Sequence, residues 1–174
     1  MNKLRTIIFC VGFFAAASVP LTAQDRPKFD DFRAKVTTVR KHKLQIPADL
    51  KCKEDDGHRF SLREDYKKPV DFAGHYIVAD YRPAPRGWHH FELIDVRTGK
   101  VYRPAEIDRV ISGRNCIHGI AGPLEHHANS RLLILKGTRP VDNDKDPLPC
   151  ELSYYEWTGN AFKFIKSFPY KGDD

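Results

Sequence analysis

Residues 91–103 restrict the fold more than any other part of the chain. Phe91-Glu92-Leu93-Ile94-Asp95 and Lys100-Val101-Tyr102-Arg103 have the make-up of strands, and Val96-Arg97-Thr98-Gly99 lies between them. Asp95 can accept from nearby backbone donors, and Gly99 can take a positive φ at low steric cost. The segment therefore reads as a β-hairpin, the unit from which antiparallel sheets are built.

Other segments point the same way. Gly74-His75-Tyr76-Ile77-Val78-Ala79-Asp80-Tyr81 is a strand candidate. Arg131-Leu132-Leu133-Ile134-Leu135-Lys136, bounded by Ser130 and Gly137, suits a buried central strand. Residues 152–157 and 161–167 form a second hairpin across Thr158-Gly159-Asn160. Residues 35–46 are rich in β-branched side chains and read as a further strand, ended by Pro47. Phe29, Phe32 and Val36 fit one short helical turn. Residues 60–66 fit a short helix, with Ser61 and Glu64 at capping-box spacing and Pro69 as its stop. Residues 49–59 are charged and read as a surface loop, and residues 105–129, broken by glycines, give the weakest signal. The expected fold class is mostly β with a minor α component. It is a single antiparallel sheet, curled or packed as a partial barrel or sandwich, with one or two short N-terminal helices.

The start of the chain is of another kind. Lys3 and Arg5 precede an apolar run over residues 6–17, and Ala23 supplies a small residue for a cut. These are the three parts of a secretory signal peptide. The run is shorter than the roughly 20 apolar residues of a membrane anchor. Cys10 lies inside the run behind Ile8 and Phe9, which does not suit lipid attachment. The expectation is a signal peptide over residues 1–23 and one β-rich domain over 24–174, periplasmic or secreted after cleavage near Ala23. The mature chain has no second long apolar segment and no expected membrane span.

The whole chain carries a net charge of +6, or +4 without Lys3 and Arg5. Outside the cytoplasm such a charge favours an anionic envelope component over nucleic acid. Acids interrupt the basic residues throughout, as in Lys51-Cys52-Lys53-Glu54-Asp55-Asp56, which argues further against nucleic acid. Three cysteines remain in the mature chain: Cys52, Cys116 and Cys150. An oxidising compartment favours one disulfide and one spare thiol. All three pairings stay open, with Cys116–Cys150 favoured because both flank the strand at 131–136. Closing that loop contributes about 3–4 kcal/mol.

Taken together, Asp71-Phe72-Ala73-Gly74-His75-Tyr76, Leu93-Ile94-Asp95-Val96-Arg97-Thr98-Gly99-Lys100-Val101-Tyr102, Ser130-Arg131-Leu132-Leu133-Ile134 and residues 154–163 resemble a family of small exported bacterial proteins with no established activity. The resemblance runs from about residue 29 to 170 and implies export and the β fold. Members of that family often carry a cysteine pair just after the Gly-His-Tyr strand. Residues 80–90 of this chain contain no cysteine.

No motif fixes a reaction, and no catalytic residue or cofactor is assigned. The segment Arg82, Arg86, Trp88, His89 and His90 is the leading binding candidate, since Arg and Trp are frequent binding hot spots. It is expected to be exposed and to meet an envelope protein or anionic envelope component. The leading reading is thus a non-enzymatic binding or inhibitor-type module. The alternative is a histidine-based metal-binding envelope protein or metal-dependent hydrolase. It would use His89 or His90 with His126 or His127, joined by His118 or Asp108. Adjacent histidines on a strand face opposite ways, so each pair would supply one ligand. Asp142-Asn143-Asp144-Lys145-Asp146 reads as an Asx-rich turn rather than a calcium loop, because Pro147 replaces the expected glycine. His75 is expected to hold its neighbours structurally through its ring nitrogens.

Overall fold

A computed structural model describes residues 25–38, 40–50, 56–82, 88–111, 123–145 and 148–170. The fold is mostly β and antiparallel. Of the forms open to such a chain, its strands take two sheets. The first contains β1 (Tyr76–Tyr81), β2 (Trp88–Asp95), β3 (Val101–Tyr102) and β4 (Val110–Ile111). Strand β2 organises it. It pairs with β1 from Tyr76↔Asp95 to Tyr81↔His90, with β3 at Leu93↔Tyr102, and with β4 at His89↔Val110. The second sheet runs β5 (Leu124–His126), β6 (Leu132–Gly137), β7 (Glu151–Trp157), β8 (Phe162–Pro169) in spatial order.

The two-residue period of a strand sorts these side chains into layers. Tyr76, Val78, Phe91 and Leu93 of the first sheet share one cluster with Leu133, Leu135, Tyr155 and Trp157 of the second. Leu93, Leu133 and Leu135 have no exposed surface. The alternate residues Ile77, Ala79, Ile94 and Val96 form a second cluster on the other face of the first sheet, with Leu50 and Leu62. Leu132, Ile134, Leu152 and Tyr154 form a third on the far face of the second sheet, with Phe29 and Phe32 packed against it. Three apolar layers thus alternate with two sheets, which is why β1 and β6 read as near-continuous apolar runs.

The hairpin at residues 91–103 forms as expected. Gly99 has φ 76°, and its N–H closes the turn on Asp95 O at 2.7 Å. The helix differs from the expectation. Helix α1 spans Asp56–Asp65, so Ser61 lies inside it rather than at its cap. Asp56 occupies the first turn and pairs with Arg59 one turn on, which favours the earlier start. Leu62 is the residue of α1 driven into the second cluster.

Phe29–Phe32 is a single 3-10 turn, and Val36 stands outside it, exposed. The strand expected over residues 35–46 does not form among the described residues. The described residues of that segment form a strap whose N–H groups bond to loops: Thr37 to Gly74 O, His42 to Val96 O and Gln45 to Gly99 O. The acidic segment after Gly137 is a short 3-10 turn, Pro140–Asp142, in which Arg139 and Lys145 both pair with Asp142.

Candidate functional site

Strand β2 places His90 and Glu92 on its outer face, beneath α1, while His89 and Phe91 face inward. An acid at a buried strand position needs partners in the protein. Glu92 is only 3% exposed and has two: His58 Nε2 on α1 donates to Oε2 at 3.0 Å, and Arg103 Nε donates to Oε1 at 2.6 Å. Arg103 follows β3 directly, so the hairpin turn delivers it beside Glu92. Its Nη1 reaches Asp49, next to the 3-10 turn residue Leu50. Burial works against the Arg103 charge, but its hydrogen bonds to Asp49 and Glu92 and their negative charges outweigh it and raise the guanidinium above its ordinary range. The hydrogen bond from Arg103 holds the Asp49 carboxyl below its usual range.

A second pair adjoins the first. His90 Nδ1 donates to Asp108 Oδ1 at 2.7 Å. Tyr81 lies between the two histidines: its ring stacks on His58 at 4.2 Å and is tilted against His90 at 6.2 Å. Leu50, His58, His90, Phe91, Glu92, Arg103, Ala105 and Asp108 together line a cavity of about 350 Å³. It has polar and apolar walls, as small-ligand sites do. Because a carboxylate only accepts, each histidine must give its bonded ring nitrogen a proton, which fixes the tautomer when the ring is neutral.

The residues singled out from the sequence are distributed otherwise. His90 and Asp108 are in this cavity. Arg82 is a largely exposed side chain paired with Asp80 at 2.8 Å. Trp88 is half-buried, and Arg86 lies outside the described residues. His89 is turned inward and only 5% exposed, with Nδ1 on Asp80 at 3.0 Å and its ring stacked on Phe91. A surface contact through His89 is therefore closed off by the alternation of β2. Burial pushes the Asp80 carboxyl up, yet the bonds from His89 and Arg82 prevail and hold it below its usual range.

His126 Nδ1 donates to Asp71 O at 3.1 Å and its ring meets Phe72 edge-on, while His127 stacks on Phe29 at 3.8 Å. His118 lies outside the described residues. Among the described residues, no three His, Cys, Asp or Glu side chains are grouped to hold a metal. The paired histidines at 89–90 and 126–127 thus have other partners. His75 packs its ring on Tyr76, and its Nε2 is buried with no hydrogen-bond partner among the described residues. Burial, then Arg97, lowers its pKa. Its contribution there is packing rather than hydrogen bonding through Nε2. Cys150 is disulfide-bonded, and Cys52 and Cys116 lie outside the described residues.

His58, Glu92, Arg103 and Asp49 were not indicated by any motif. Glu92 carried a signal nonetheless: it is the acid in the apolar strand Phe91-Glu92-Leu93-Ile94. His58 was hidden in a segment whose charge suggested only a solvated loop. Comparisons of the chain with family models, curated proteins and solved structures return no match.

Proposed function

We propose that the chain is an exported binding module, released near Ala23 and working in the periplasm or medium, whose ligand site is the cavity between α1, β2 and residues 103–108. The basic start and apolar run of residues 1–23 support export. The binding reading rests on one observation: buried Glu92 fixes His58 and Arg103 from its two oxygens, so polar groups from three separate segments are preset at one cavity. Preset polar groups lower the ordering cost of binding. Arg82 and Trp88, at the adjoining ends of β1 and β2, then contribute to contacts with an envelope partner. A metal shared between His89 or His90 and His126 or His127 draws no support from the geometry, since those rings are engaged separately. We further propose Cys116 as the partner of Cys150.

The test is a native mass spectrum of protein recovered from the envelope fraction, for the wild type and Ala105→Trp. Ala105 is an exposed residue of the cavity wall, so a large side chain there fills the cavity without entering the core. The expected result is a mature mass beginning near Gln24 and a small-molecule adduct absent from the variant. An unprocessed mass would refute export. An adduct undiminished in Ala105→Trp would move the site elsewhere.

A further inference from the structure

We infer that the cavity takes a neutral, hydroxyl-bearing ligand, a mono- or disaccharide; this rests on the cavity being the binding site. The polar atoms left to a ligand decide the class. Both Glu92 oxygens are bonded inside the protein, and Asp108 and Asp49 each hold a partner in His90 and Arg103. Each of these carboxylates is therefore already engaged by a donor of the protein, whereas an ammonium ligand needs carboxylate oxygens free to accept its N–H groups. An anion fares no better. Arg103 faces two carboxylates, and each neutral imidazole that donates to its carboxylate has a bare lone pair on its second nitrogen. A lone pair repels an anion.

Among the described residues, His58 Nδ1, His90 Nε2 and Arg103 Nη2 make no hydrogen bond. With both rings neutral, we assign these atoms of the cavity-wall residues to a ligand as two acceptors and one donor. A hydroxyl group both donates and accepts, and a ring bearing several hydroxyls meets all three. Leu50, Phe91 and Ala105 supply apolar wall for the C–H face of such a ring. At about 350 Å³ the cavity is at the small end of ligand sites, which suits one or two rings rather than a long glycan.

The inference is tested by calorimetry and saturation-transfer NMR on the mature protein with four probes. Chitobiose and maltose are the neutral saccharides, glucose 6-phosphate the anion and zinc chloride the metal. The expected result is saturable binding of at least one neutral saccharide, abolished by Ala105→Trp and weakened about tenfold by His90→Phe, which keeps a ring but removes the acceptor. Binding of glucose 6-phosphate or zinc alone, blocked by Ala105→Trp, would overturn the saccharide class and leave the cavity as the binding site. Saccharide binding that survives Ala105→Trp, or no binding by either neutral probe, would overturn the inference.

Discussion

Glu92 Oε2 lies 3.0 Å from His58 Nε2 and joins the central strand of the first sheet to its covering helix. The same carboxylate holds Arg103, so its loss strands two partners at once. Removing one side of a buried charged pair costs about 3–5 kcal/mol. Glu92→Leu should lose about that much in urea unfolding at an unchanged m-value. His58→Phe should lose less, because Glu92 keeps Arg103. Equal losses in the two variants would show that His58, not Arg103, carries the anchor.

Tyr155 in the inner layer has its phenol pushed up to about 12 by burial. A raised folded pKa means stability that is complete below the unfolded value of about 10 and is lost as pH rises toward 12. Tyr155→Phe should remove that part of the alkaline transition, followed by tyrosinate absorbance and circular dichroism together. An unaltered transition would place the alkaline sensitivity at another tyrosine.

Asp80 provides the acid counterpart. Its folded pKa is depressed, so its contribution is present above about 3.9 and is lost as pH falls through the folded value. Asp80→Asn should be less stable at pH 7 and should flatten the stability profile below about pH 4. Thermal melts across that range measure both effects, and parallel profiles would contradict the assignment.

Gly99 and Gly159 both have positive φ, at 76° and 101°, but differ in surroundings. A Cβ on Gly99 would collide with the Lys43 carbonyl of the strap, whereas one on Gly159 meets nothing within 4 Å. Gly99→Ala should cost several kcal/mol and loosen the strap, and Gly159→Ala about 1 kcal/mol. Hydrogen exchange at Gln45, whose N–H bonds to Gly99 O, reports the strap directly.

The sequence was most legible where period and turn chemistry agreed. Ile94 and Asp95, then Gly99, specified the hairpin without help from distant residues, and Leu132 to Leu135 announced a strand covered on both faces. The strap at residues 35–46 misled because the N–H groups of its described residues find loop carbonyls rather than a neighbouring strand. Ser61 and Glu64 had capping-box spacing, yet the earlier start at Asp56 put both inside the helix. The cavity was only partly visible. His90 and Asp108 stood out as chemistry-bearing residues, but their link to His58 and Arg103 depends on β2 passing between α1 and the β3 end, a relation of tertiary structure.

The 3-10 turn Phe29–Phe32 sets a limit on how far the chain can be trimmed from its front. Phe29 and Phe32 cover the outer face of the second sheet, and Ser130 Oγ bonds to Phe29 O at 2.9 Å. A protease that cut a few residues before Lys28 would leave this cover intact. One that cut beyond Phe32 would strip Leu132, Ile134 and Tyr154 of their apolar lid and turn a finished surface into an adhesive one. Trimming ahead of Lys28 therefore spares the cover of the second sheet, and the turn behind it belongs to that cover.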